Sequence, residues 1–548
     1  MADLFSIGSS ALLAYSNALA TTSNNIANVN TPGYSRQRVE LQSRVGGFSG
    51  DGVVGTGVEQ VGIQRLTDQF VNSRLYGDAS NVGRESMYST VAGRVDQLLS
   101  DPNTGLSSAL SDFFSKMDAV SASPSDPAAR TAFVGAANTL SDRFNQLSTS
   151  FDSMEQEISS RMSQTVTDVN TDAQKIADLN RQISLAQAQN PGQSPNELLD
   201  QREQAITDLS SKVGVTTLAQ DDGSMNVFVG GHPLVLGNTV TQLSTAPTQG
   251  DPRRIDVYFG TGTNAVPLKG QLGGELGGLV DVRTSVLDPA EGSLGRISVA
   301  ISQQFNQLQS QGVDLNGATG TNLFASLSPT VQAFGTNTSS ATITASYTNV
   351  AQLTGHDYRV SYDGTNWTMT DLATNSSVAL SGAGTAGNPF VAAGLSFVVN
   401  GSAAAGDNFT IRSTSAAAGQ MAVAISDPSK IAAAAAGSGA NSSDNTNARA
   451  MAALRSGGLL DGGTASLTQS YTSLVASTGS AAQQAQNRAA AQTAIQTSDA
   501  AQRDSVSGVN LDEEAANMVR FQQAYQAAAQ IIATANAAFD SLLNALRT

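Results

Sequence analysis

The chain has 548 residues, of which 40% are apolar, 14% charged and 5% aromatic; it carries a net charge of −16 and has no cysteine. That length points to several domains rather than one core, and the thin apolar supply suits long helices and small β-domains. An acidic balance without a Lys/Arg cluster argues against a nucleic-acid partner, and the missing cysteine excludes disulfides, thiolate catalysis and Cys-based zinc sites.

No Lys or Arg precedes Arg36, so the start of the chain lacks the basic region of a cleaved secretory signal. No apolar run approaches bilayer-spanning length, so membrane insertion is not expected. Phe5, Gly8, Leu12, Tyr15, Leu19, Thr22, Ile26 and Val29 alternate at spacings of three and four, the seam of a coiled-coil helix. Asn24, Asn25, Asn28 and Asn30 crowd its end and lower helix propensity. They either fray and cap the helix or hydrogen-bond neighbouring backbones in a packed assembly. Pro32 and Gly33 then suit a type II turn, and residues 37–65 read as extended segments and turns.

A helical body follows. Leu140, Phe144, Leu147, Phe151, Met154 and Ile158 keep heptad spacing, resumed by Val169, Ile176, Leu179 and Ile183, and predict one long helix ending near Asn190-Pro191-Gly192. Ser194-Pro195-Asn196-Glu197 reads as a capping box opening the next helix, which carries Leu199, Ile206, Leu209 and Val213. Two β-rich insertions are expected, at 215–270 and 330–425, with a helix around Leu294–Gln309 between them. Helices return near Ala448.

At the carboxyl end the seam pattern recurs: Leu511, Ala515, Met518, Gln522, Tyr525, Ala529, Ile532, Asn536, Phe539, Leu543 and Leu546. Asn510 can cap this helix, Asp512, Glu513 and Glu514 complement its dipole, and Arg547 suits its last turn. Phe521, Ala528, Ile531, Ala535 and Leu542 flank the seam and widen the apolar face. Periodicity leaves two readings open, one intramolecular helix pair or a larger bundle. Gly8 and Thr22 in the first seam and Ala515, Ala529 and Asn536 in the second are small or polar, so a lone pair buries little against chain entropy, and the ends are expected to be disordered in the free monomer.

The fold class expected is multidomain α+β: terminal helices pairing as a coiled-coil domain, a long helical-bundle body, and inserted β-rich domains. The corresponding boundaries are 1–36 plus 508–548 for polymerisation, 37–214 plus 271–329 plus 426–507 for the body, and 215–270 and 330–425 for the insertions.

Candidate chemical motifs are weak. Gly382, Gly384 and Gly387 match a dinucleotide-loop spacing but lack the flanking strand and helix. Asp314, Asn316 and Gly317 resemble the start of a calcium loop without its closing Glu, and Asp221-Asp222-Gly223 reads as a hairpin turn. His232 and His356 have no nucleophile elbow beside them, and the single Trp367 reads as core of its domain. No cofactor, metal or catalytic residue is expected.

Residues 23–36, Ser-Asn-Asn-Ile-Ala-Asn-Val-Asn-Thr-Pro-Gly-Tyr-Ser-Arg, closely resemble the amino-terminal signature of the flagellar rod, hook and hook-associated proteins. Residues 507–526, from Ser507 through Val509-Asn-Leu-Asp-Glu-Glu514 and Phe521-Gln-Gln-Ala-Tyr525, are similar to the matching end signature, in its hook-associated rather than its hook or rod form. Asp126–Arg130, Asn196–Arg202 and Gly273–Leu279 are similar to the helical body of the junction proteins, a resemblance that does not extend to about 330–440. The resemblance implies a non-enzymatic axial subunit at the hook–filament junction, self-assembling in a helical array between the hook protein and hook-associated protein 3. It also implies passage through the flagellar type III export apparatus without a cleaved signal, and an export chaperone at the carboxyl-terminal helix. The candidate assembly residues, from the two seams and the two signatures together, are Leu12, Tyr15, Leu19, Asn24, Asn25, Ile26, Asn28, Pro32, Gly33, Tyr34, Met518, Phe521, Tyr525, Ile532, Phe539 and Leu543. Rival readings are a hook or rod protein of the same family, or, in other classes, a surface adhesin or a cell-wall hydrolase with axial-type ends.

Overall fold

A computed structural model describes residues 2–44, 48–49, 52–53, 55–103, 105–268, 270 and 272–547. Helix α1 (Ala2–Ala27) leads through an antiparallel hairpin, Gln37–Ser43 with Val58–Arg65, into a helical body. The body comprises α2 (Gln69–Ser100), α3 (Ser107–Ala122), α4 (Pro127–Gln189), α5 (Asn196–Lys212), α6 (Gly274–Val282), α7 (Asp288–Gln311), α8 (Thr446–Ala453) and α9 (Leu467–Ser507). The last helix, α10 (Leu511–Arg547), returns to pack on α1.

The spine is α4. Asp126 accepts the Ala128 amide and Pro127 occupies the first turn, so the helix starts well before its heptads. At 63 residues it is about 95 Å long. Its heptad stripe is buried from Phe133 through Leu140, Phe144, Phe151, Ile158 and Ile176 to Ile183. At one end, Phe113 of α3 packs 4.9 Å from Phe305 of α7 and 5.1 Å from Phe133 of α4, an aromatic cluster that joins three helices. Tyr471 of α9 accepts the Leu106 amide and donates to the Leu99 carbonyl, so one hydroxyl closes the α2–α3 corner. The expected capping box at Ser194 is not formed. Pro195 stands at the cap position of α5 with no side-chain cap bond, because Ser194 lies one residue too early to reach the first turn.

The β-rich insertions form where the sequence placed strands. The smaller holds an antiparallel sheet of Val215–Ala219, Met225–Val229, His232–Leu236 and Thr239–Val240, beside a second of Leu243–Thr248, Asp251–Phe259 and Val266–Pro267. In the larger, Asn408–Arg412 and Trp367–Asp371 flank Tyr358–Tyr362, which sets Val360 opposite both Phe409 and Met369. Trp367 is half-buried and stacks 4.9 Å from Tyr362.

A buried charge cluster joins both insertions to the spine. Arg254 reaches Asp288 at 2.6 Å, Arg283 reaches Glu155 at 2.9 Å, and Arg412 of the larger insertion reaches Glu291 at 3.0 Å. Arg253 bridges Asp251 and Asp152. Beside it, Gly292 and Gly295 of α7 admit the Gly355 and Thr414 carbonyls, with which a Cβ at either glycine would collide. Counting Asp357, six carboxylates (Asp152, Glu155, Asp251, Asp288, Glu291, Asp357) share four guanidiniums (Arg253, Arg254, Arg283, Arg412). Burial is therefore incompletely offset by the arginines and pushes Glu291 from its ordinary 4.5 up to about 7.

Folding favours the protonated Glu291. Its contribution is fully present below pH 4.5 and is lost as pH rises towards 7. Wild-type stability relative to Glu291→Gln is expected to fall by about 2–3 kcal/mol across that window, read from urea midpoints. A pH-independent difference would place the ionised carboxylate in the fold.

Candidate assembly interface at the paired termini

Helices α1 and α10 run antiparallel. Asn25 meets Glu514, Tyr15 lies 6.4 Å from Phe521 ring to ring, and a Cβ on Gly8 would stand 2.7 Å from Ile532. The face of α10 turned inward is Glu514, Phe521, Ala528 and Ala535, with Ile531 and Ile532 half-buried. This corrects the expected seam. The stripe read as flanking is the pairing face, whereas Tyr525, Phe539 and Leu543 are 39%, 48% and 46% exposed. On α1, Gly8, Ala14, Ala18, Thr21, Thr22 and Asn25 are buried, Gly8 against Ile532 and Ala14 toward the hairpin. Small residues on both sides let the backbones approach and draw the contact away from the larger side chains. Ile532 faces α1 rather than solvent. With Gly8 at Ile532, the first described residues of α1 lie level with about 538, so Phe539, Leu542 and Leu543 have no α1 residue opposite them among the described residues. The side chains of Leu546 and Arg547 lie outside the described residues.

The ends are joined to the body through Asn25, which is 1% exposed. Its amide nitrogen donates to the Gln37 carbonyl at 2.9 Å and to Glu514 at 3.0 Å, and its oxygen accepts from the Tyr34 hydroxyl and the Gln37 amide. Tyr34 is placed by the turn before it, where Pro32 precedes Gly33 at φ +79° and the Tyr34 amide closes onto the Thr31 carbonyl. Burial, then the carboxylates of Asp200, Glu197 and Glu514, push the Tyr34 hydroxyl up to about 12, so it remains a donor. Arg36 pairs with Glu513 at 2.7 Å and Glu514 at 2.8 Å, and its amide donates to the Ser507 carbonyl. The Ser35 amide donates to Asp200, which with Glu203 also pairs with Arg65.

The asparagine cluster therefore resolves into distinct jobs within one chain. Asn24 donates weakly to Tyr34 at 3.4 Å, Asn28 donates back to Asn24, and Asn30 and Pro32 are exposed. Leu12, Leu19, Ile26 and Met518 are half-buried along the pair. The expectation missed Glu514, Gln37, Asp200 and Arg65 as joining residues. Glu514 carried a signal, an acid falling on the inward stripe of an otherwise apolar helix face. Asn510 does cap α10, accepting the Asp512 amide at 3.0 Å.

Elsewhere the weak motifs are structural. Asp314 accepts the Asn316 and Ala318 amides and pairs with Lys430. Asp222 accepts from Ser224, and Gly382 and Gly384 sit at positive φ in a loop. His232 stacks on Phe259, and His356 shares a hydrogen bond with Asp371, whose other oxygen holds a turn.

Arg65→Ala would leave Asp200 and Glu203 without their guanidinium. It is expected to cost about 3 kcal/mol in docking of the hairpin. Amide exchange should accelerate over 37–43 and 58–65 while α4 is unchanged.

Family models match four stretches: the flagellar hook-associated protein FlgK helical domain over residues 92–324, a flagellar hook-associated protein 1 D2-like domain over 333–413, the flagellar basal body rod FlgEFG protein C-terminal over 500–545, and the flagella basal body rod protein over 5–34. A solved structure of the flagellar hook junction protein FlgK from Burkholderia pseudomallei is similar with a TM-score of 0.72 and 26% identity, covering 80% of this chain and all of that one. Flagellar hook-associated protein 1 of Bacillus subtilis (strain 168) is 26% identical over 98% of this chain and 96% of its own. That of Escherichia coli (strain K12) is 34% identical over 99% of this chain and 100% of its own. With both end signatures, the helical body and the larger insertion all matched, the chain belongs to the flagellar hook-associated protein 1 family, structural proteins of the bacterial flagellum.

Proposed function

We propose that the chain is a non-catalytic subunit of the hook–filament junction, and that its polymer contacts run along the apolar side chains that the α1–α10 pair leaves uncovered. The observation that carries this is the overhang of α10, where Phe539, Leu542 and Leu543 stand 46–49% exposed on consecutive turns. Tyr525, two heptads before Phe539, lies on the same face of α10 and is also exposed. A helical array needs heterologous contacts that do not close, and a one-sided overhang provides one. The two insertions then face solvent.

The neighbours along the axis are the hook protein on one side and hook-associated protein 3 on the other. Before assembly, the same stripe of α10 needs cover, which suits a cytoplasmic export chaperone that takes an amphipathic helix. Passage through the type III apparatus without a cleaved signal accords with an amino-terminal stretch that has no Lys or Arg before Arg36. No described helix is long and apolar enough to cross a membrane.

Phe539→Ala with Leu543→Ala removes two large side chains that touch little within the chain. Thermal unfolding of the monomer is expected to stay within about 0.5 kcal/mol of wild type, while filaments no longer remain attached. Secreted amounts are measured alongside, which separates failed export from failed assembly. Normal secretion with normally attached filaments would remove this stripe from the polymer surface.

A further inference from the structure

Between Ala485 and Ser507 helix α9 runs along α2 and, with every residue described, has no buried side chain. Charged groups make the join instead. Arg488 pairs with Glu85 at 3.3 Å and stands 5.2 Å from the Tyr88 ring. Nearer the terminal module, Arg74 of α2 pairs with Asp499 at 3.0 Å and donates to Gln502 at 2.6 Å. This stretch is the arm that carries the module: the Ser507 carbonyl at its end accepts the Arg36 amide, and α10 starts at Leu511.

One group in this seam is out of balance. Asp78, one helical turn after Arg74, is buried, and one of its carboxyl oxygens meets no donor among the described residues. What lies within hydrogen-bonding reach of it is the Asp499 carboxyl, an acceptor like itself. The charged groups that act on Asp78 are Asp499 and Arg74, whereas Arg202 and Glu203 of α5 and Arg503 of α9 act on neighbouring Tyr76. Two carboxyls therefore face one guanidinium. Both ionised, they would leave a net negative charge in a seam where α9 has no buried side chain to hold it. One proton between them cancels that charge and turns two opposed acceptors into a donor and an acceptor. Burial, then the hydrogen bond to Asp499 and the charge of Asp499, accordingly hold the Asp78 carboxyl above its ordinary range, against the pull of Arg74.

We propose that Asp78 and Asp499 share one proton across α2 and α9, a clasp that keeps the arm of α9 on the body while the proton is held and lets it lift when the proton is lost. The Asp78 hydroxyl donates to Asp499, and Asp499 keeps its ion pair with Arg74. Folding favours the protonated pair, so its contribution is fully present below the carboxyl's ordinary 3.8 and is lost as pH rises through the raised value. Arg65, paired with Asp200 and Glu203 of α5, is a second and separate attachment of the module. Loss of the proton therefore loosens the arm without releasing the ends.

Amide exchange of the free full-length chain over 486–507 tests this, with protection taken relative to an unstructured peptide of the same sequence at each pH. From about pH 5 to about pH 9 the wild-type protection is expected to fall severalfold. Asp78→Asn supplies Asp499 with a permanent donor and should keep the higher protection throughout. Asp499→Asn leaves Arg74 to Asp78 alone and should also lose the pH dependence. The Glu291 contribution lies in the charge cluster on α7 and is common to wild type and variants. In infrared difference spectra of wild type against Asp78→Asn, a protonated-carboxyl carbonyl band should stand at the acid end and fade over the range in which protection falls. Wild-type protection that does not change with pH, an equal fall in Asp78→Asn, or no protonated-carboxyl band would each overturn the proposal.

Discussion

Asn25 satisfies four backbone and side-chain groups with one amide, and the terminal module is built around that constraint. Its partners come from three places that are distant in sequence: the turn at Tyr34, the start of the hairpin at Gln37, and the first turn of α10 at Glu514. A buried side-chain amide has no tolerance for a missing partner, because each unpaired group costs about 1–3 kcal/mol. The register of α1 on α10 is thus set by polar bonds at one end. The remainder of the pair sets small residues, Gly8, Ala18, Ala528 and Ala535, beside half-buried Tyr15, Phe521 and Ile532, apolar contacts that are less directional than these hydrogen bonds. Arg36 and Arg65 carry that register into the body by pairing with α10 and α5 respectively.

A junction must transmit torque between two differently built polymers, and the fold answers with stiffness away from the ends. The spine α4 is continuous, the aromatic cluster around Phe113 and Phe305 ties it to α3 and α7, and the charge cluster around Glu155 and Glu291 fixes both insertions to it. Buried ion pairs contribute less to stability than to a single defined geometry. Here their partners come from α4, α7 and both insertions, so the relative placement of those parts is specified by charge.

Much of this was legible in the sequence because it rests on periodicity and turn chemistry. The heptads of α4, the β-rich character of the stretch around Val360, the Pro32-Gly33 turn and the Asn510 cap each follow from local patterns. The inward face of α10 was not legible. Its two apolar stripes are adjacent and Ala-rich, so choosing between them depends on which lets the backbones approach, a property of the partner helix. Nor was the capping role of Ser194 decidable, since Pro195 admits either start. The charge cluster escaped for another reason: Arg254, Glu291 and Arg412 are scattered over 158 residues and meet only in the folded chain.

The central claim is that the ends form an interface completed by assembly, with small residues and one polar joint too weak to hold it rigid alone. Amide exchange compared between the free chain and the chain in isolated flagella tests this most directly. The account predicts that residues 4–27 and 511–545 gain protection on assembly by far more than the buried stripe of α4, with the largest gain at 536–545. Protection of both ends in the free monomer equal to that of α4, unchanged by assembly, would contradict it.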